Sequence, residues 1–436
     1  MTMKKEILKD KRYTHLDVKK HHEDYEDRVK SVKWVSRHGF YPFIHFTLNL
    51  DKYVDDEEGK HVKPKKREIY YSAHIDRYIY EYYGNKLNNA YNKYTNKLGI
   101  GKTAIAYRNN APGKCNIHFA KEVFEFIYKC GSAYIFIGDF TGFFDKLDHK
   151  YLKETLKQVL GEEELNPAEY AIYKNLTHYT YVEAADIESY KGKSRADMRE
   201  LDKYFSTSDF HDFKLKHLKR HEESYGIPQG SSISAVYANV YMIYFDKMMN
   251  DLATSKSGLY RRYCDDIVMV IPCDEEKFMS GVYKTTCKCV FEIRDKIKNL
   301  ELNEDKTQQF YFNNGTLKLI AGKSPIMSYL GFTFDGKSIR IREKSLFKFY
   351  NRAYKKIKKV NFSKTKGAYI AGKKAIYKSY THLGNTKSKK IYGNFLTYAY
   401  KAQKIFEKSD YWSCDIRRQV RRHWKKINNR LNWMPE

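Results

Sequence analysis

Two adjacent aspartates, Asp265 and Asp266, sit inside residues 261–271, RRYCDDIVMVI. Neighbouring carboxylates repel unless a cation lies between them, and a hard divalent ion such as Mg²⁺ prefers carboxylate oxygens. Alone, an Asp-Asp pair is most often a solvated turn. Here an apolar run, Ile267 to Ile271, follows the pair, so the segment reads as strand, turn, strand with the acids at the turn. A third acid, Asp139, ends the apolar run 134–137, and a carboxylate there is costly unless it is paired or metal-bound. If the fold brings the three together they can hold two Mg²⁺ ions roughly 3.5–4 Å apart, the arrangement that activates an attacking hydroxyl and stabilises a leaving pyrophosphate.

Other residues suit a phosphorylated substrate. Arg108 and Lys114 lie on a Gly/Pro loop, residues 104–114, and two cations on such a loop fit a triphosphate. The neighbouring GIGKT at 99–103 is not a phosphate loop, because Asn96 stands where its first glycine belongs. The net charge is +28, with 81 Lys and Arg against 53 Asp and Glu, which points to a polyanion and first to nucleic acid. Residues 341–436 carry 26 Lys and Arg against 5 Asp and Glu, a net of +21. A hydrophobic content of 42% sets the chain apart from histone-like basic proteins. Seven cysteines, an odd number without zinc spacing, suggest reduced thiols. No secretory signal and no membrane-length apolar run is present, so the expected location is cytoplasmic and no membrane partner is expected.

The elements that must position these residues read as mixed α+β. Residues 1–30 form a short basic helix or a mobile arm. Residues 39–54 and 67–73 are strands of a hairpin, with a charged loop at 55–66 between them. Helices are expected at 74–98, 118–130 and 149–160, and residues 189–212 look like a loop-rich insertion within a long polar segment, 161–224. GIPQGSSIS at 226–234 is a turn opening an apolar helix. Residues 275–300 read as one helix, 328–334 as one strand containing a glycine, and 346–360, 373–383, 391–408 and 416–431 as basic helices.

In this order the segments resemble the reverse transcriptase family, from residue 65 to residue 436. The matching pieces are 104–114, 139–148, GIPQGSSIS, YCDD at 263–266, 302–307 with Lys306, YLGF at 329–332 and the basic tail. The resemblance implies a right-hand polymerase: an N-terminal arm (1–30), fingers (31–132), a palm with an antiparallel sheet (133–340, carrying the insert 161–224) and a helical thumb (341–436). It implies that Asp139, Asp265, Asp266 and the Phe140 carbonyl bind two Mg²⁺, with Mn²⁺ as the alternative. Arg108, Lys114, Phe144, Gln229, Gly230, Cys264 and Lys306 face the nucleotide, although the loop of Lys114 departs in length from the family pattern. Phe144 is the gate against a 2′-hydroxyl, its alternative being plain core packing. Lys306 either aids proton transfer to the pyrophosphate or only neutralises charge. Tyr263, Tyr329, Leu330, Gly331, Lys355 and Lys356 touch primer or template, and Arg261 and Arg262 are candidates for nearby phosphates.

Within the family, the cysteine of YCDD, the compact palm and thumb and the charged insert look most like bacterial defence-associated reverse transcriptases of class 2. Such an enzyme copies a structured partner non-coding RNA from dNTPs, through an RNA/DNA hybrid, into concatenated cDNA during anti-phage defence. Alternatives are template-independent or protein-primed DNA synthesis, a retron-like or intron-type enzyme, and a non-catalytic RNA-binding scaffold.

Overall fold

The computed structural model describes residue 10 and residues 13–56, 59–385 and 393–431. The first hairpin, β1 (Phe43–Asp56) and β2 (Gly59–Tyr71), is antiparallel and paired from Ile44–Tyr71 to Asp56–Gly59. β3 (Ser132–Asp139) follows the helix Asn116–Lys129. β4 (Thr180–Glu183) lies parallel to β1 and carries β5 (Lys219–Arg220). Two further antiparallel pairs are β6 (Leu259–Tyr263) with β7 (Asp266–Pro272) and β8 (Gln308–Asn313) with β9 (Thr316–Ala321). A meander of β10 (Met327–Tyr329), β11 (Phe332–Phe334) and β12 (Ser338–Ile341) is joined by β13 (Ser413–Cys414), parallel to β12. The sheet orders are β2-β1-β4-β5, β6-β7-β3-β8-β9 and β10-β11-β12-β13. The chain is thus α+β, as its sequence pattern indicates.

The inner strands β3 and β7 of the central five-stranded sheet are buried on both faces, which explains why they read as continuous apolar runs. Side chains alternate across a strand. Tyr134, Phe136, Ile267, Met269 and Ile271 enter one core with the helices His74–Lys97, His149–Leu160, Ser234–Tyr241 and Ile243–Thr254. Ala133, Ile135, Ile137, Val268 and Val270 enter a second core with the helix Asn116–Lys129, the β10–β12 meander and the tail helices Glu343–Asn361 and Phe395–Phe406. By the same alternation Asp139 and Asp266 continue the second face beyond the apolar residues.

Several elements differ from the sequence pattern. The stretch expected as a charged loop at 55–66 falls largely within the two strands of the β1–β2 hairpin, because backbone pairing needs no apolar side chains. Residues 275–300 split into Glu275–Met279 and Val282–Asp295 at Gly281, whose φ is 88°. The apolar helix after GIPQGSSIS breaks at Met242 into Ser234–Tyr241 and Ile243–Thr254. The 328–334 strand is a tight hairpin, with Leu330 (φ 46°) and Gly331 (φ 92°) as its turn. Two left-handed residues are what a two-residue hairpin loop of this type demands. Residues 416–431 form two short helices, Ile416–Val420 and His423–Asn428. The tail helix Phe395–Phe406 starts later than residue 391, and residues 391 and 392 lie outside the described residues. The insertion at 189–212 is not a bare loop: Met198, Tyr204, Phe205 and Phe213 pack with Leu16, Ile44, Val182 and Ile187 into a separate core.

That core also changes the reading of the N-terminal arm. Residues 1–9, 11 and 12 lie outside the described residues, but residues 14–17 are buried. Thr14 Oγ1 donates to the Met198 carbonyl (2.9 Å). Asp17 accepts from the Ile75 backbone N–H (3.0 Å) and pairs with His74 Nδ1 (2.7 Å). It thereby supplies the cap that Ala73 cannot give to the helix His74–Lys97.

His15, also in this arm, gives a pH prediction. Its Nε2 lies 3.1 Å from the Tyr71 carbonyl and the residue is wholly buried. Burial lowers its imidazole from 6.5 to about 4. Below pH 6.5 the unfolded chain takes up a proton that the folded chain refuses until about pH 4. Stability from this group is therefore present above 6.5 and falls by up to about 3 kcal/mol as the pH drops through that window. Urea unfolding of wild type and His15→Gln between pH 7 and pH 4.5 reads this: the variant loses part of the pH slope.

Candidate active site

The β6–β7 register pairs Tyr263 with Asp266 and leaves Cys264 and Asp265 as a two-residue turn. Cys264 has φ 61°, a conformation that costs a side chain strain unless its surroundings fix it. Arg262 does the fixing. Its wholly buried guanidinium donates to the Cys264 carbonyl (3.0 Å) and to Asn239 Oδ1 (3.1 Å). It also grips Asp246 through Nε (2.8 Å) and Nη2 (2.7 Å), while the Tyr260 hydroxyl donates to the same carboxylate (2.9 Å). Arg261, on the opposite face, pairs with Glu122 (2.5 Å) and donates to the Tyr260 carbonyl. Both arginines, expected to meet phosphates, are engaged inside the protein instead.

β3 runs beside β7 with Asp139 directly opposite Asp266. The strand end is held on both sides: the Phe140 N–H donates to the Asp265 carbonyl (3.2 Å), and the Asn303 N–H donates to the Asp139 carbonyl (2.7 Å). The Lys306 ammonium contacts Asp139 Oδ2. Burial, with the charge of Asp265, pushes the Asp266 carboxyl up to about 6, and Arg342 opposes that rise. The three carboxylates therefore gather at one end of the sheet with too little positive charge around them.

Among the described residues no three His, Cys, Asp or Glu side chains converge closely enough to ligate one ion as they stand. The donor set nevertheless suits Mg²⁺: every side-chain donor is a carboxylate oxygen, two lie directly across a strand pair, and a lysine ammonium already sits on Asp139.

The other sequence candidates fall into three groups. Phe144 is half-buried, edge-on to Phe143 (5.6 Å), and its carbonyl accepts from Ile227 N–H (2.9 Å), which ties it to the Gly226 turn. Gln229 and Gly230 lie against the end of β2: the Tyr70 N–H donates to the Gln229 carbonyl (2.8 Å), and a Cβ on Gly230 would stand 2.5 Å from the Tyr70 carbonyl. Only glycine fits there. Lys114 is exposed. Arg108 turns inward instead, donating to Asn92 Oδ1 (2.8 Å), the Gly101 carbonyl (2.8 Å), the Ala104 carbonyl (3.0 Å) and Thr95 Oγ1 (3.1 Å). Its guanidinium braces the loop rather than facing a substrate.

Cys264, Tyr329 and Leu330 are buried, so these side chains line the site from behind rather than present themselves to a ligand. Tyr263 is half-buried between the two cores, and Gly331 forms the turn beside Leu330. Lys355 pairs with Asp51 of β1 (3.1 Å), and Lys356 lies over the Tyr380 ring (5.7 Å). The sequence gives no reason to single out Arg342, whose Nε is buried without a hydrogen-bond partner and whose charge acts on Asp266. Nor does it single out Lys65, Lys66 and Arg67, exposed on the strand that leads to Tyr70 and the Gln229 contact.

A family model described as reverse transcriptase (RNA-dependent DNA polymerase) matches residues 110–334. No curated protein matches the sequence. Among solved structures, apo telomerase from Candida tropicalis truncated from its C-terminal domain is 14% identical, with 67% of this chain and 55% of that chain covered and a TM-score of 0.39. Telomerase from Candida albicans in complex with a fragment of telomeric RNA is 12% identical, with 94% and 68% covered and a TM-score of 0.40. The RNA-dependent RNA polymerase of a human picobirnavirus is 10% identical, with 67% and 42% covered and a TM-score of 0.36. The chain thus spans 55% of the length of the truncated telomerase.

The buried Arg262–Asp246 pair yields a prediction. Asp246→Asn keeps the volume but leaves the guanidinium uncompensated, and removing one partner of a buried pair costs about 3–5 kcal/mol. Chemical denaturation reads this loss. A double variant, Asp246→Leu with Arg262→Met, recovers part of the stability but not the bond to the Cys264 carbonyl.

Proposed function

The chain belongs to the reverse transcriptase (RNA-dependent DNA polymerase) family, and from this we propose that it copies a bound RNA strand into DNA by two-metal nucleotidyl transfer. The observation that carries the reading is the pairing of Asp139 with Asp266 across β3 and β7, with Asp265 in the adjoining turn. Asp139, Asp265, Asp266 and the Phe140 carbonyl would hold Mg²⁺, or Mn²⁺ in its place, and the bound charge would supply activation of the primer 3′-hydroxyl and stabilisation of the leaving pyrophosphate.

The chain's own residues do the rest. Lys306, beside Asp139, keeps a second positive charge where the phosphates react. Gln229 and Gly230 bring backbone close to the nucleotide, and the Phe144 ring, fixed by the Gly226 turn, excludes a 2′-hydroxyl. Exposed Lys66 and Arg67 on β2, with Lys114, take the triphosphate in place of Arg108. In this reading residues 31–132 act as fingers, 133–340 as palm and 341–436 as a thumb whose net charge of +21 suits a nucleic-acid duplex.

The finer reading is that the template is a structured non-coding RNA encoded as a partner of the enzyme. Its product is concatenated cDNA made in the bacterial cytoplasm during anti-phage defence. The cysteine at Cys264 and the folded insert 161–224 support it. Sequencing the RNA and DNA that co-purify with the protein tests this level: one abundant RNA with tandem complementary DNA supports it, and a mixed RNA population overturns it. Among the described residues no helix is long and apolar enough to cross a membrane.

The activity is tested with purified protein, a DNA-primed RNA, Mg²⁺ and dNTPs. Wild type extends the primer, and the double variant Asp265→Ala/Asp266→Ala does not. No synthesis by wild type on supplied or co-purified RNA, or equal synthesis by both proteins, overturns the reading. In the same assay Phe144→Ala gains incorporation of ribonucleotides relative to deoxyribonucleotides, and unchanged selectivity assigns the ring to core packing alone.

A further inference from the structure

The segment 101–110 runs along the outer edge of β6, joined by the Arg262 N–H to the Thr103 carbonyl (2.9 Å) and the Ile105 N–H to the Arg262 carbonyl (2.9 Å). Its carbonyls are pinned in turn. Arg108 holds Gly101 and Ala104, Asn239 Nδ2 holds Ala106 (3.0 Å), and Asn88 Nδ2 holds Tyr107 (2.8 Å). The clamp forces Tyr107 into a left-handed conformation, φ 59°, with 53% of the residue exposed. Its hydroxyl lies close enough to the turn for Cys264, Tyr263 and Asp265 to act on it electrostatically. Two left-handed non-glycine residues, Tyr107 and Cys264, thus flank the edge of β6 near the tip that carries an acid. Such strain persists only where the surroundings over-determine it, and it clusters at functional sites.

Beside the ring stands a row of amides whose direction is fixed. A guanidinium offers donors only, so Arg108 Nε holds Asn92 by its Oδ1. Asn92 Nδ2 then donates to Asn109 Oδ1 (2.6 Å), and Asn109 Nδ2 donates to Asn89 Oδ1 (3.0 Å). Asn89 and Asn109 are exposed, and the row ends on the Asn89 Nδ2 hydrogens. In a chain of net charge +28, this edge next to the catalytic turn presents an aromatic face and neutral donors, with Lys102 as the exposed cation of the segment. Phosphate oxygens are served best by cations, whereas ribose 2′-hydroxyls and base edges accept from amides.

We propose that Tyr107 and the Asn89–Asn92–Asn109 row contact the RNA template strand beside the catalytic turn, the ring stacking on a template base and the amides hydrogen-bonding ribose 2′-hydroxyls. The proposal rests on the reading of the chain as a polymerase that copies RNA. The strand assignment follows from the two flanks of the turn. The primer end has to lie over the face of the sheet that carries Asp139 and Asp266. The 101–110 segment lies at the opposite flank, on the outer edge of β6. The row therefore distinguishes a ribose from a deoxyribose template.

The experiment measures binding, so that an enzyme inactive in extension still decides it. Two duplexes of one sequence are compared by fluorescence anisotropy, a DNA primer on an RNA template and the same primer on a DNA template. Wild type binds the RNA-templated duplex more tightly. Asn89→Ala/Asn109→Ala weakens that binding about tenfold, the loss of two hydrogen bonds of ordinary strength, and leaves the DNA-templated duplex unchanged. Tyr107→Ala weakens both duplexes by roughly tenfold, because stacking does not read the sugar, and Tyr107→Phe keeps the wild-type affinity. An unchanged ratio between the two duplexes in the asparagine variant overturns the proposal, as does wild-type affinity in Tyr107→Ala. Equal thermal midpoints in all variants show that the changes are not unfolding. If the binding ratio collapses as stated while wild type extends neither template, the polymerase reading fails and the template contact stands.

Discussion

The bond from Arg262 to the Cys264 carbonyl is the constraint on which the acidic end of the sheet depends. Burying an arginine and an aspartate costs several kcal/mol per ion in lost hydration, and an apolar pair of equal volume often does as well for stability. The guanidinium is kept for its geometry. Its donors reach Asp246 on the helix Ile243–Thr254, Asn239 on the helix Ser234–Tyr241 and the turn itself, while its backbone pairs with Thr103 and Ile105. One side chain therefore sets the height and tilt of the β6–β7 tip relative to the helical layer behind it. Asp265 follows Cys264 directly, so its position inherits that tie.

The same arrangement shows what a sequence can and cannot convey. β3 and β7 are legible because both of their faces are buried, and an acid at the end of each run stands out against Tyr134–Ile137 and Ile267–Ile271. Arg261 and Arg262 look like one cationic pair in the chain. Alternation along β6 sends one to Glu122 and the other to Asp246, in different cores. Arg108 looks like a phosphate ligand until Asn92 and Thr95, more than ten residues away, claim its donors. Arg342 is one of 81 lysines and arginines, and only the fold sets it near Asp266. Only the outer half of the β1–β2 hairpin, residues 55–66, is hidden, for the converse reason: its pairing is made by backbone, and a run of charged residues carries no apolar alternation.

Electrostatics divides the molecule along the Cys264–Asp265 turn. On one side the carboxylates crowd until burial and mutual repulsion hold the Asp266 proton up to about pH 6, with Lys306 and Arg342 as partial compensation. A doubly charged ion brought to that end relieves a repulsion already built into the fold. On the other side Arg108 spends its charge internally and leaves amides facing out.

The tail completes this division. Not all of its +21 is free to meet a polyanion. Lys426 lies over the Tyr350 ring (4.3 Å) and Arg430 over Tyr354 (4.0 Å), so these two cations tie the helix Glu343–Asn361 to the end of the chain. Lys355 is different. It reaches Asp51 on β1, and both groups are exposed, where an ion pair contributes about 0–1 kcal/mol and weakens with salt. The tail and the β1–β2 hairpin are thus joined by a contact that a phosphate displaces at little cost. The strong Arg262–Asp246 bond sits behind the acids, where it holds geometry, and the weak Lys355–Asp51 bond sits where the basic tail faces the β1–β2 hairpin.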